Sequence, residues 1–353
     1  MTHPVSTNNP TGRKAYVITG PTSGIGKATA LEVAKHGQLV LVGRDREKLN
    51  QLQREIESKG HHAVTVVCDL SDQESVRRAA AEIIALRLPI VGLLNNAGIL
   101  QTRATKNALG WDMSFVTNHL GPFALTEALA PSLPNGANVV FVVSAAEDPD
   151  RKPAAAAGFR GGRYISAEAS ARGEWKPGGA RKQGFDAYAT SKQAILAAAM
   201  AFTRENPRLH FNAVEPGLNL TTGLGGDDAG AFVRFLQKFV MPLLVPLLMS
   251  FIKILSTPER AARVITTILI DTSGLTGVYY DEGGRPMQGS TLVRDPQFQD
   301  RVVAETRALL SVSALVCSHQ LTIQLLSATG LRGGGPTRSS RQTFLLHGNM
   351  SPV

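Results

Sequence analysis

The stretch KAYVITGPTSGIGKATALEVAKHG, residues 14–37, joins an apolar run of strand length to an amphipathic run of helical length through a glycine-rich turn. Glycines in that turn free the backbone for a tight bend, and the helix after it offers unpaired amide groups to an anion. The spacing G-x-x-x-G-x-G differs from the common G-x-G-x-x-G, but the strand-to-helix context of a dinucleotide motif is present. A turn that serves packing alone is the alternative, and the context favours a nucleotide. The candidate contacts are Gly20, Thr22, Ser23, Gly24, Ile25 and Gly26.

Apolar runs of strand length and amphipathic runs of helical length alternate beyond this turn. QLVLVG precedes REKLNQLQREIESKG, AVTVVCDL precedes ESVRRAAAEIIALR, and IVGLLNNAG follows. Three further candidate strands lie at 137–145, 209–217 and 277–282. Short, continuously apolar strands separated by helices are typical of a parallel sheet covered on both faces. The sequence therefore predicts an α/β fold, a doubly wound parallel sheet of the Rossmann type in a single domain.

Three segments depart from this alternation. Residues 1–13 are polar and lack the apolar core of a secretory signal, which indicates a disordered leader. Residues 147–186 are rich in Gly, Ala, Arg and Lys without apolar periodicity, so we predict an insertion that is partly ordered at best. The linker-like run LRGGGPTRSSR lies in a tail of unknown role at 313–353. The folded domain is expected at 14–312.

Composition excludes several classes of protein. The 353 residues are 43% apolar, which is ample for a core, and the two cysteines, Cys68 and Cys317, are too few for a disulfide framework or a cysteine metal site. The net charge of +9 is dispersed and aromatic residues make up 6%, so nucleic-acid binding is disfavoured. We expect no metal site and a cytoplasmic location.

A tyrosine and a lysine stand four residues apart in FDAYATSKQA, residues 185–194. On a helix, Tyr188 and Lys192 would share a face with Cβ atoms roughly 5 to 6 Å apart. A free tyrosine has a pKa of about 10, and a nearby cation favours the phenolate. The pair therefore suits acid–base chemistry, although Y-x-x-x-K taken alone is more typical of an exposed helix surface.

The end of the second strand, LVLVGRDREK, bears on the choice of dinucleotide. An acidic residue there binds the ribose 2′-hydroxyl of NAD, whereas an arginine suits the 2′-phosphate of NADP. Arg44 follows Gly43 directly and favours NADP over NAD, while the adjacent Asp45 weakens the inference.

Several motifs occur together in one order: TGPTSGIG, CDLS, NNAG, TNHLG, a serine after a strand, YATSK and EPG. In this order they resemble the short-chain dehydrogenase/reductase superfamily. GKATALEVA, TNHLGPFALT, STPERAA and GVYYDE are similar to its retinol-dehydrogenase and protochlorophyllide-reductase-like branch. The resemblance covers about residues 14–311 and implies an NADP-dependent oxidoreductase that interconverts an alcohol and its aldehyde or ketone. A nucleotide-binding sensor or scaffold without turnover is the alternative.

The resemblance also implies roles for four catalytic residues. Tyr188 would be the general acid in reduction and the base in oxidation, and Ser144 would donate a hydrogen bond to the substrate oxygen. Lys192 would hold the nicotinamide ribose hydroxyls and, with the cationic oxidised ring, lower the pKa of Tyr188. Asn118 would position a water that links Lys192 to solvent.

Further cofactor contacts follow from the same resemblance. Asp69 and Leu70 would lie at the adenine, and Thr221 would border the nicotinamide, with Thr222 as the alternative. The remaining implied contacts are Asn96, Ala97, Gly98, Tyr188, Lys192, Pro216 and Gly217.

The sequence departs from the family pattern in three places. About forty residues separate Ser144 from Tyr188 where the family gap is shorter, so the insertion must loop out. Val143 stands where a second serine is usual. The cysteine of light-driven protochlorophyllide reductases is absent, which disfavours photochemistry.

The substrate lobe is expected at about 218–256. Its apolar run FVMPLLVPLLMSFI, residues 239–252, is shorter than the roughly 18 residues that span a bilayer and contains two prolines. We favour a lid over a hydrophobic pocket, or plain core, over peripheral membrane contact. The expected partner is a small hydrophobic substrate, and a homodimer stays open.

Overall fold

The computed structural model describes residues 13–218 and 256–328, the residues from 313 onward by their backbone alone. Residues 1–12 of the predicted leader, Thr221 with its alternative Thr222, and the segment 239–252 lie outside the described residues. Two compact units are distinguished, Met1–Ser311 and Val312–Val353, and the site described below belongs to the first. None of the helices in the described ranges is long and apolar enough to cross a membrane.

Eight strands form one sheet within the described residues. They are β1 (Ala15–Thr19), β2 (Gln38–Gly43), β3 (Ala63–Val67), β4 (Ile90–Asn95), β5 (Asn138–Val142), β6 (His210–Val214), β7 (Tyr279–Tyr280) and β8 (Pro286–Met287). Their order is β3-β2-β1-β4-β5-β6-β7-β8, and every pairing is parallel except the antiparallel β7–β8 pair. All seven predicted strands are present, so the doubly wound sheet is confirmed.

The helices of the described ranges flank this sheet. They are α1 (Gly24–Val33), α2 (Arg46–Glu57), α3 (Gln73–Ala85), α4 (Met113–Phe115), α5 (Gly121–Leu129), α6 (Lys152–Ala156), α7 (Ala167–Arg172), α8 (Gln183–Glu205), α9 (Pro258–Leu269) and α10 (Pro296–Ala328). A π-helical turn at Val116–Leu120 joins α4 to α5, and a 3-10 turn at Ala145–Glu147 follows β5. Asp45 and Asp72 cap α2 and α3 by accepting hydrogen bonds from first-turn amides.

Both faces of the sheet are buried because successive side chains of a strand point to opposite sides. Val17 of β1 lies in the core beneath α3, α5 and α8. Its neighbour Ile18 lies in the core beneath α1, α2 and α9. This two-sided burial explains why the strands are apolar at every position rather than at alternate ones.

Residues 147–186 are a defined part of the domain, which corrects the expectation of partial order. They carry α6 and α7, and Tyr164 is fully buried with its hydroxyl donating to Glu305 Oε2 at 2.7 Å. The ring of Tyr164 also packs edge-on against Phe298, with ring centroids 5.5 Å apart. Composition misled here because the segment is ordered by contacts with α10, distant in sequence, rather than by its own periodicity.

The sheet has its topological switch point between β1 and β4, which lead to β2 on one side and to β5 on the other. Ligands of doubly wound sheets bind in the crevice at the carboxyl ends of the strands at such a point. The glycine-rich turn follows β1 and NNAG follows β4, so both motifs meet at this crevice.

Candidate active site

The glycine-rich turn after β1 is held tightly by its neighbours. Gly20 has φ of +65° and donates its N–H to Val42 O at 2.9 Å. The Asn96 amide donates to Thr19 O at 2.9 Å and to Gly20 O at 3.2 Å. A Cβ at Gly26 would lie 2.1 Å from Gly20 O, so the two glycines pack backbone against backbone. The turn therefore permits the close approach that a pyrophosphate needs.

The amino end of α1 is open to an anion. Ser23 precedes the helix with an extended backbone, and its side chain makes no capping hydrogen bond. The amides of the first turn, which Gly24 and Ile25 begin, are thus left without an acceptor from the cap. Thr22 lies in the same turn and is partly exposed to solvent. These residues fit a bound dinucleotide phosphate, and their contacts with it stay a prediction.

Arg44 and Asp45, which sequence alone left in competition, have different surroundings. The Asp45 carboxylate accepts from Lys48 N at 3.1 Å and pairs with Lys48 Nζ at 3.0 Å. Arg44 is exposed and makes no hydrogen bond or ion pair within the described part of the chain. Asp45 is therefore occupied as a helix cap, and the guanidinium of Arg44 remains available to a ligand.

Asp69 lies just beyond β3, at the same edge of the sheet as Arg44. Its Oδ1 accepts from Ser71 N at 2.8 Å and from Ser71 Oγ at 2.7 Å, while its own N–H donates to Ser75 Oγ at 3.0 Å. Leu70 is buried and its carbonyl would lie 2.3 Å from a Cβ placed at Gly121. The position of this turn suits the predicted adenine contacts.

The four predicted catalytic residues come together around α8. Tyr188, on that helix, is 8% exposed, and the Ser144 side chain lies near enough to its phenol to lower the pKa of Tyr188. Ser144 precedes the 3-10 turn after β5, and its Oγ also accepts from Ala146 N at 3.2 Å. The ordered segment 147–186 leaves these two side chains in contact despite the forty residues between them.

The side chains of Lys192 and Asn118 both lie next to Gly98. Lys192 Nζ donates to Val142 O at 2.8 Å and lies 5.7 Å from the centre of the Tyr188 ring. Asn118, in the π-helical turn, donates to Ile99 O at 2.9 Å and accepts from Ile99 N at 2.8 Å. A Cβ at Gly98 would lie 3.2 Å from Lys192 Nζ and 3.3 Å from Asn118 Oδ1.

The Asn118 side chain thus holds the loop after β4, which the sequence did not predict. Its amide also donates to Ser191 Oγ at 3.0 Å, which ties the π-helical turn to α8. Single π-helical turns occur frequently at functional sites because they redirect side chains. The predicted water between Asn118 and Lys192 stays a prediction.

Burial sets the acidity of the two central groups. Burial raises the pKa of Tyr188 to about 12, and the Ser144 side chain acts in the opposite direction. Burial lowers the pKa of Lys192 to about 8. In the chain by itself, desolvation of the phenol outweighs its neighbours. The expectation that Lys192, with the cationic oxidised nicotinamide, lowers the pKa of Tyr188 concerns the cofactor-bound state and stays a prediction.

The turn after β6 completes the crevice. Gly217 has φ of +77°, which favours glycine, and it follows Pro216 directly. Both lie at the carboxyl end of a strand adjacent to β5, close in the sheet to Ser144. Within the described ranges, no group of three His, Cys, Asp or Glu side chains could hold a metal ion.

Sequence reasoning missed three side chains beside this site. Glu147 is fully buried, Glu215 is 5% exposed, and Phe159 packs at 5.9 Å between ring centroids from Tyr188. An acidic residue at the end of the buried apolar strand in NAVEPG was the available signal for Glu215. Glu147 and Phe159 fell in the segment expected to be partly ordered, where no sequence signal marked them.

Comparisons with known proteins agree with this geometry. A family model described as short chain dehydrogenase matches residues 14–156. Retinol dehydrogenase 13 of Homo sapiens is 28% identical over 319 residues, which cover 85% of this chain and 86% of that protein. Dehydrogenase/reductase SDR family member 7B of Xenopus laevis is 40% identical over 145 residues, which cover 37% of this chain and 44% of that protein.

Solved structures show the same fold. A short chain dehydrogenase from Burkholderia cenocepacia J2315 in complex with NADP has a TM-score of 0.55 at 21% identity, covering 78% of this chain and 98% of that one. A blue fluorescent protein from a metagenomic library in complex with NADPH has a TM-score of 0.54 at 22% identity, covering 77% and 97%.

Proposed function

Because this chain belongs to the short-chain dehydrogenase/reductase superfamily, in its retinol-dehydrogenase-like branch, we propose that it interconverts a hydrophobic alcohol and its aldehyde or ketone with NADP(H). It is an NAD(P)-dependent oxidoreductase that acts on the CH–OH group of a small molecule. The observation that carries the finer proposal is the convergence of the Ser144 side chain on the buried Tyr188 phenol beside an apolar surface.

The chain's own groups divide the chemistry between them. The nicotinamide, when bound, supplies the hydride in reduction and accepts it in oxidation. The Tyr188 hydroxyl donates its proton to the substrate oxygen in reduction and takes the proton back in oxidation. The Ser144 hydroxyl donates to the same oxygen as negative charge develops. Lys192, whose Nζ lies beside Tyr188, binds the ribose hydroxyls and supports the proton transfer.

An apolar wall supports a hydrophobic substrate. The side chains of Leu100, Phe159, Ala146 and Ala189 cluster with Tyr188. Phe159 also stacks on Phe185 with ring centroids 4.3 Å apart and an interplanar angle of 14°. A substrate carbonyl that reaches Tyr188 therefore leaves its adjacent groups against aromatic and aliphatic carbon.

The direct test is NADPH consumption with a panel of apolar and short-chain aldehydes and ketones. Falling absorbance of the reduced nicotinamide with apolar carbonyls would support the proposal. Tight NADPH binding without turnover of any carbonyl would favour the sensor or scaffold instead.

Truncating the Phe159 side chain is expected to weaken the binding of large apolar substrates selectively. Phe159→Ala removes the ring between Phe185 and Tyr188, and we expect KM for a large apolar aldehyde to rise about 10-fold. KM for a short-chain aldehyde should change little, and Phe159→Leu, which keeps an apolar side chain, should lie nearer wild type. Steady-state kinetics on both aldehydes checks this, and an equal loss for both would exclude a substrate-contacting role.

Removing Arg44 is expected to change cofactor preference. Without its guanidinium a 2′-phosphate loses a charged hydrogen bond, so the Kd for NADPH should rise about 10- to 100-fold in Arg44→Ala. The Kd for NADH should stay near that of wild type. Fluorescence titration with both nucleotides measures this, and Arg46→Ala, which removes an exposed charge two residues away, is the control. If Arg46→Ala has the same effect, general surface charge rather than Arg44 selects the phosphate.

A further inference from the structure

Two buried carboxylates, Glu147 and Glu215, lie beneath the catalytic serine, and the chemistry above uses neither. Glu147 is fully buried and Glu215 is 5% exposed. Burying a carboxylate is costly unless it is well paired, so two in one place indicate a specific task.

Glu215 connects two strands directly behind Ser144. Its Oε2 accepts from Ala145 N at 2.5 Å, and Ala145 is the residue next to Ser144. Glu215 follows β6 while Ser144 follows β5, so the carboxylate links the carboxyl ends of adjacent strands. Its own N–H donates to Tyr280 O at 2.8 Å, which fixes Glu215 to β7. The conformation of the backbone at Ser144 thus depends on this acceptor.

Glu147 closes the other end of the same 3-10 turn. It accepts from Ser290 N at 2.8 Å and from Ser290 Oγ at 2.6 Å, which connects the turn to the chain beyond β8. The two acids differ in their partners: Glu147 binds a distant segment, whereas Glu215 binds the amide next to the catalytic serine. Of these two acids, only Glu215 has a charge that raises the pKa of Tyr188.

We propose that Glu215 is a positioning residue that holds Ser144 against Tyr188 through the Ala145 amide and whose negative charge keeps the proton on Tyr188. This inference rests on the proposed function for its catalytic meaning. The electrostatic half also stands without it, because it concerns the ionisation of a buried phenol.

The direction of the electrostatic effect follows from like charges in a buried place. Glu215 raises the pKa of Tyr188, because a carboxylate nearby disfavours phenolate. Burial raises the pKa of Glu215 itself to about 7, against the hydrogen bond from Ala145. The carboxylate is therefore ionised above about pH 7, where it opposes loss of the proton from Tyr188, and neutral below.

Other charged and titratable groups face Glu215 from the surrounding elements. Arg151, just before α6, lowers the pKa of Glu215, whereas Glu282, between β7 and β8, and Glu147 raise it. Tyr279 of β7 is 4% exposed, and its pKa is raised well above the usual value by burial and by both acids. None of these groups outweighs burial, so the charge on Glu215 switches near neutral pH.

The charge and the hydrogen bond can be separated by two substitutions. Glu215→Gln keeps an oxygen that accepts from Ala145 N and removes the charge. Glu215→Ala removes both. Glu147→Gln is the matched control, because it neutralises an equally buried carboxylate of the same turn and can keep both contacts with Ser290.

The electrostatic half is tested by NMR of protein labelled at the tyrosine ring Cζ, titrated with base and assigned with Tyr188→Phe. We expect the onset of Tyr188 ionisation in Glu215→Gln to lie about 0.5 to 1 pH unit below wild type, and in Glu147→Gln to be unmoved. An onset in folded Glu215→Gln that coincides with wild type would overturn the electrostatic role. This readout needs no substrate, so it decides the point even if no carbonyl is turned over.

The positioning half is tested by turnover at pH 8, where Glu215 is ionised. We expect Glu215→Ala to lower kcat at least 10-fold with little change in KM, and Glu215→Gln to recover most of it. The pH at which the rate of alcohol oxidation rises, which reports ionisation of Tyr188 as the base, should also be lower in Glu215→Gln. If Glu215→Ala is as active as Glu215→Gln, the amide contact does not position Ser144. If Glu215→Ala fails to fold, the test rests on folded Glu215→Gln. A low kcat in that variant, with the oxidation rate rising at the same pH as in wild type, would equally overturn the proposal.

Discussion

Tyr188→Phe is expected to lower kcat for carbonyl reduction by about 100- to 10,000-fold, the usual contribution of a positioned general acid. Phenylalanine keeps the ring that packs with Phe159 but has no proton to donate. The Kd for NADPH should change little, because only the hydroxyl is lost. Stopped-flow or steady-state NADPH consumption gives kcat, and fluorescence titration gives the Kd.

Tyr280→Phe is the matched control for this substitution. Tyr280 is 9% exposed, close to Tyr188 in burial, but its side chain packs in the core on the opposite face of the sheet from α8. Loss of that hydroxyl should leave kcat near wild type. Equal rates in wild type and Tyr188→Phe would remove Tyr188 from the mechanism and with it the assigned acid.

Gly26→Ala is expected to weaken cofactor binding strongly and to destabilise the fold. The added Cβ would lie 2.1 Å from Gly20 O and 2.5 Å from the Asn96 amide nitrogen. One of these atoms is backbone and the other holds the turn, so the turn itself must move. Overpacking of this kind costs about 1 to 3 kcal/mol or more in the free energy of unfolding. Thermal melting should show a lower Tm, and NADPH titration an affinity reduced at least 10-fold.

Gly43→Ala separates this backbone clash from a general loss of glycine. A Cβ at Gly43 would meet the Leu49 side chain at 3.4 Å, an ordinary contact. Both glycines lie at the carboxyl edge of the sheet, but only Gly26 packs against another backbone. A Gly26→Ala protein with normal Tm and normal NADPH affinity would show that the turn is more deformable than its contacts indicate.

The features that could be predicted from sequence are those set by residues that are neighbours along the chain. All seven predicted strands follow from continuous apolar runs, since a strand buried on both faces cannot alternate with polar residues. The glycine-rich turn follows from the same logic, because strand, glycines and helix are contiguous. Ser144, Tyr188, Lys192 and Asn118 required the resemblance to a family, since no single one of them stands out physically.

The remaining features depend on residues distant in sequence. The pKa of Tyr188 in the chain by itself is raised, because burial of the phenol outweighs the effects of its neighbours. The order of residues 147–186 depends on Tyr164 reaching Glu305 on α10.

Sequence by itself determined the doubly wound sheet and the edge at which its ligands bind, because strand periodicity and the glycine turn are properties of contiguous residues. Only the tertiary structure decided which charges surround the catalytic pair. Glu215 is brought to Ser144 by the pairing of β5 with β6, although 71 positions of sequence separate the two residues. Electrostatic effects depend on distance and burial in space, and neither can be read from separation along the chain.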